Sequence, residues 1–147
     1  MKYNFSISPY IDVSQKNKLS QNKQAGARKK PERVEGTLSC ELPKKLVKKN
    51  DIHITSKRNF DCFQDTELDM LLKRTLDVKN IIICGVNTDT CVYGTTFGAS
   101  NRGYNPIVIE CCTGSMRGED QHKTALKIMS QSIAWVMKKE EILNKLN

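Results

Sequence analysis

The chain has 147 residues, a formal net charge of +8, six cysteines and two histidines. That length suits one domain with a real core. No apolar run reaches the roughly 20 residues of a membrane span, so the sequence reads as a soluble protein without a membrane partner.

The basic excess is confined to the first third: residues 1–50 carry 12 Lys/Arg against 4 Asp/Glu, and residues 51–147 carry 12 of each. Residues 1–35 are polar and lack sustained periodicity, and the run from Gln15 to Arg33 is nearly free of large apolar side chains. This composition gives a basic loop or disordered segment. Its aromatic residues, Tyr3, Phe5 and Tyr10, do not interleave with the charge. A solvated arm is therefore favoured over a nucleic-acid binder.

Order is expected from Gly36 onward, giving a domain over residues 36–147. Leu38, Leu42, Leu46 and Val47 are its first sparse anchors, around a turn at Pro43. The cysteines form no CxxC pair, Cys84 lies in an apolar run, and no signal peptide precedes them. These features point to reduced thiols in a cytoplasmic protein. His53 and His122 have no paired ligand spacing near a cysteine, so zinc is not expected.

From Asp51 the pattern alternates. Ile52–Thr55 reads as a short strand that ends before Ser56 and Lys57. Thr66 precedes Leu68, Leu71, Leu72 and Leu76, which is helical spacing with a cap. Ile81–Val86 reads as a strand buried on both faces. Gly85 permits a sharp turn there, and Thr88 or Asp89 is placed to cap a helix over residues 89–102. Cys91 falls in the first turn of that helix, where unpaired N–H groups and the positive dipole end favour a thiolate. A nucleophile so placed has an oxyanion site beside it.

Pro106–Glu110 is the next strand, with its proline where a missing donor does least harm. Residues 118–130 follow as a helix, with His122 in a surface or capping position. Ile133–Val136 is a last strand and residues 139–146 a closing helix. Four βα units in succession predict an α/β fold with a mostly parallel sheet. Active groups in such sheets gather beyond the carboxyl ends of the strands, where this reading puts Lys57 and Cys91.

The motifs Gly85-Val-Asn-Thr-Asp-Thr-Cys91-Val, Thr95-Thr-Phe-Gly-Ala-Ser-Asn101-Arg-Gly-Tyr104 and Ile109-Glu-Cys-Cys-Thr-Gly-Ser115 resemble those of the isochorismatase-like cysteine hydrolases. Within that superfamily they look most like the biuret hydrolase and N-carbamoylsarcosine amidase branch. Ile54-Thr-Ser-Lys57 through Leu68 resembles the family's lysine segment, and His122–Met129 with Ala134-Trp-Val136 matches the end of the pattern.

The resemblance implies a Rossmann-like three-layer α/β/α fold and hydrolysis of C–N bonds in a small amide or ureide. Cys91 would attack the carbonyl carbon to give a covalent intermediate, and Lys57 would hold positive charge near it. Backbone N–H groups at Asn87 and Cys91 would form the oxyanion site, shaped by a cis peptide at Val86–Asn87. Phe63 and Tyr93 are candidates to line the substrate pocket. No metal or organic cofactor is implied, and a homo-oligomer or a complementing chain is.

The family's general base is an aspartate at the end of its first strand. Asp12, in Tyr10-Ile-Asp-Val-Ser-Gln15, is superficially similar, but only 45 residues separate it from Lys57 and its surroundings are polar for a central strand. The sequence is accordingly read as lacking that strand and its aspartate, with an incomplete sheet. The alternative function is then a catalytically inactive member acting as a binding or scaffold protein.

Overall fold

The structure is a computed structural model that describes residues 5–7, 45 and 49–146. The expected domain start at Gly36, the turn at Pro43, Cys40 and Asp12 lie outside the described residues. The chain divides into two compact units, Met1–Arg58 and Asn59–Asn147.

In the first unit, β1 (Phe5–Ile7) pairs in parallel with β2 (Ile52–Ile54), Phe5 opposite Ile52 and Ile7 opposite Ile54. Strand β1 falls inside the segment that composition assigns to loop. Three residues in a polar context carry too short an alternation to show as a strand, and their partner lies 47 positions away in the sequence. Ile54 is fully buried.

The second unit is built on a three-stranded parallel sheet in the order β3-β4-β5. Helix α1 (Leu68–Met70) continues into a π-helical turn, Leu71–Thr75, and leads to β3 (Asn80–Val86). A second π-helical turn, Thr88–Val92, opens α2 (Tyr93–Asn101), followed by β4 (Asn105–Gly114). Helix α3 (Glu119–Ser132), β5 (Trp135–Met137) and α4 (Lys139–Leu146) complete it. The architecture is α/β, with parallel strands flanked by helices, as the alternating pattern predicts.

The core explains why the helices sit where they do. Ala125, Leu126 and Met129 recur at helical spacing on α3 and pack with Ile83, Val92 and Val108. Val136 joins this face, opposite Val108 in the ladder. Ile142 is buried on α4, which lies against β4.

The expectation that β3 is covered on both faces is corrected. Ile83 is buried, but Ile82, Cys84 and Val86 are exposed. The register aligns Ile82, Ile107 and Trp135 across one face of the sheet, and Ile82 stays 43% and Trp135 69% exposed. An apolar run marks a strand that could be covered twice; it does not supply the second cover.

Candidate active site

Cys91 lies in the π-helical turn that follows the carboxyl end of β3, half-buried. Gly85, with φ +129°, takes a conformation that side-chain-bearing residues avoid, and releases the chain from the strand. The Val86–Asn87 peptide is cis, as the family resemblance implies. The carbonyl of Asn87 then accepts the N–H groups of Thr90 and Val92, each at 3.1 Å, which closes the turn around the cysteine.

The sequence assigns the helix cap to Thr88 or Asp89, and the structure corrects this. The N-cap residue is Asn87, and no side chain caps the turn. Thr88 and Asp89 are instead engaged by the segment after β4. Thr88 is fully buried, and its Oγ1 shares a 2.8 Å hydrogen bond with Nδ1 of His122. Ser115 donates its hydroxyl to Asp89 at 2.6 Å, and the Arg117 guanidinium binds the other carboxylate oxygen. Asn87 joins in, its Oδ1 accepting the N–H of Met116 at 3.0 Å.

Burial alone would raise the Asp89 pKa, but the Ser115 hydroxyl and the Arg117 guanidinium outweigh it and hold the carboxyl below the usual range. His122 is the second correction. It is not a surface residue but a buried one, 9% exposed, on the inward face of α3 with Ala125 and Met129. Its spacing to those two apolar residues, three and seven positions, was the signal that could have shown this.

Of the other candidates, Tyr93 opens α2 directly after the cysteine turn, half-buried and stacked on Phe97. Phe63 is buried, its ring stacked on Tyr104 at 5.5 Å with the Arg102 guanidinium 5.0 Å from its centre. Lys57 belongs to the first unit, where it is 4% exposed. The neighbouring Arg58 donates to the carbonyls of Thr55 and Lys57.

Cys62 is buried and receives a hydrogen bond from the Thr95 hydroxyl. Desolvation, then Cys112 and Cys111 beside it, push the Cys84 thiol up to about 11, which favours its protonated form at neutral pH. Among the described residues, no group of three or more His, Cys, Asp or Glu side chains is placed to hold a metal ion. No helix among them is long and apolar enough to cross a membrane.

The family model "Isochorismatase domain" matches residues 9–141 of this chain, a range that includes Asp12. YecD of Escherichia coli O157:H7, an uncharacterized isochorismatase family protein, is 33% identical over 97 residues, covering 66% of this chain and 50% of that protein. The chain thus spans about half the length of this curated relative. Among solved structures, the nicotinamidase of Staphylococcus aureus is 31% identical with a TM-score of 0.65, covering 71% of this chain and 69% of that one. An isochorismatase-like hydrolase from Alkaliphilus metalliredigens shares the fold, with a TM-score of 0.84 at 21% identity over 99% of this chain and 74% of that one.

Proposed function

Because this chain belongs to the isochorismatase family, we propose that it hydrolyses C–N bonds of small amides or ureides through a covalent intermediate on Cys91. The observation that carries this reading is the placement of Cys91: a half-buried thiol in a tight turn at the carboxyl end of a parallel strand, with residues 87–89 each bonded to the segment after β4. Such positions collect reacting groups in α/β folds. Rigidly held backbone donors beside a nucleophile are what a developing oxyanion needs.

In this mechanism the Cys91 sulfur attacks the substrate carbonyl carbon and forms a C–S bond. The negative charge that appears on oxygen is met by the backbone N–H groups of Asn87 and Cys91. The tetrahedral species collapses, the C–N bond breaks and the nitrogen leaves as ammonia or an amine, taking a proton. Water then attacks the thioester carbon, the C–S bond breaks and the free thiol returns. Lys57 is the cation we assign to the charge on this path, on its match to the family's lysine segment. Tyr93, next to the cysteine turn, is assigned to the substrate side.

The test is ammonia release from a panel of primary amides and ureides, with wild type beside Cys91→Ser. We expect one chemical class to be hydrolysed, and the variant to lose at least about 10³-fold in rate. If none is hydrolysed, or if the variant keeps pace, the reading fails. The binding or scaffold alternative then remains, and the open sheet face at Ile82 and Trp135 is the observation that favours it.

A further inference from the structure

Resting on the hydrolase reading, and going beyond it, we infer that His122 is a positioning residue for Cys91, acting through the buried hydroxyl of Thr88. The two side chains come from different elements, the start of α3 and the first residue of the π-helical turn that carries the cysteine. Their hydrogen bond is short, at 2.8 Å, and both residues are buried, so water does not substitute for either partner at low cost.

His122 is itself fixed at both ends. Its backbone N–H donates to the carbonyl of Gly118 at 3.2 Å, and its ring lies on the helix face that carries Ala125 and Met129 into the core. Thr88 is in turn part of the backbone that carries Cys91, because its carbonyl accepts the N–H of Tyr93 and spans the cysteine. The imidazole therefore transmits the position of a rigid helix to a five-residue turn. Thr88 is the only residue of the triplet 87–89 whose anchor comes from a helix; Asn87 and Asp89 are held by residues 115–117. Loss of the imidazole leaves the Thr88 hydroxyl buried without its partner and frees the turn to shift.

The test needs no substrate. The rate of Cys91 alkylation by iodoacetamide at pH 7.5 (about neutral, where free thiols are mostly protonated) is followed by peptide mass spectrometry. Labelling of exposed Cys111 in the same sample serves as the internal standard. His122→Leu keeps the side chain apolar and buried but removes the ring nitrogen, and is expected to slow Cys91 labelling about tenfold. His122→Asn places an amide near the position of Nδ1 and is expected to restore most of the rate. Thr88→Val, which deletes the hydroxyl at constant volume, is expected to match His122→Leu, and the double variant to be no slower than either.

An unfolded His122→Leu leaves the decision to Thr88→Val. The inference is overturned if these variants fold and Cys91 labels at the wild-type rate, or if His122→Asn is as slow as His122→Leu. It is also overturned if wild-type Cys91 labels no faster than Cys111. A wild type that labels quickly at Cys91 yet hydrolyses no amide or ureide overturns the function proposed above and leaves this one standing.

Discussion

Ser115 donates its hydroxyl to Asp89 across 2.6 Å, and this bond joins the loop after β4 to the turn that carries Cys91. The carboxylate is nearly enclosed, with 11% of its side chain exposed, while its other partner, Arg117, is more than half exposed. The hydroxyl is thus the better protected of the two contacts, and the guanidinium, screened by water, adds less.

This geometry predicts a pH dependence with a definite sign. The Asp89 carboxyl titrates below its ordinary range in the folded protein, so the unfolded chain takes up the proton first as pH falls. The stabilisation is present above the unfolded aspartate value of about 3.9 and is lost as pH drops through the folded value. Asp89→Asn should cost about 1–2 kcal/mol at pH 7, the scale of a charge-assisted hydrogen bond. Urea titrations should show the gap between wild type and variant closing below about pH 4. A gap of constant size down to about pH 3, roughly one unit below the unfolded aspartate value, would mean that Asp89 contributes by packing alone.

Gly98 in α2 gives a second prediction. A Cβ there would overlap the carboxylate of Asp61. That carboxylate is not free to retreat, because it accepts the Phe63 N–H at 2.8 Å and faces the Arg102 guanidinium at 3.3 Å. Alanine normally gains about 1 kcal/mol over glycine inside a helix. Here the overlap, at about 1–3 kcal/mol for an overpacked site, should outweigh that gain. Gly98→Ala is expected to lower the thermal midpoint of the wild type and to raise that of Asp61→Ala, where only the helix-propensity gain is left.

Lys57 yields a third. In the proposed role of a cation serving the developing charge, it should tolerate neither loss nor change of shape. Lys57→Met is expected to lower kcat/KM by about 10²–10³-fold, the scale of removing one electrostatic donor. Lys57→Arg should recover little, since a planar guanidinium does not place its charge where an ammonium does. Arg58 cannot take over, being engaged by the carbonyls of Thr55 and Lys57. Equal rates for wild type and Lys57→Met on any hydrolysed substrate would remove Lys57 from the mechanism.

The elements from Ile52 onward were legible because strand and helix periods alternate there with glycine at the breaks; Gly85 and Gly103 both take positive φ where the turns require it. The site was legible in one dimension only. Cys91 and the turn after β3 follow from local sequence, but the anchors of that turn do not. His122 and Ser115 lie 34 and 26 positions from their partners, and nothing local in either residue announces the contact. The missed strand β1 has the same cause, a pairing partner far along the chain.

That strand bears on Asp12 and on the last prediction. β1 ends at Ile7 and β2 at Ile54, paired in parallel, so the chain leaves both strands at the same end of their ladder. Asp12 follows β1 by five positions and Lys57 follows β2 by three. The family match, beginning at residue 9, takes Asp12 in. An aspartate at the end of a first strand is where the family resemblance puts the general base, and we propose Asp12, which lies outside the described residues, as the position to test for that role. Asp12→Asn is isosteric and removes only the basic oxygen. It should lower the rate of ammonia release by about 10²–10⁴-fold, the usual span of general-base catalysis, with no comparable loss of thermal stability. Asp12→Glu should recover only part of it, because the longer side chain moves the basic oxygens. An Asp12→Asn variant that hydrolyses amides at the wild-type rate would return the base to another residue.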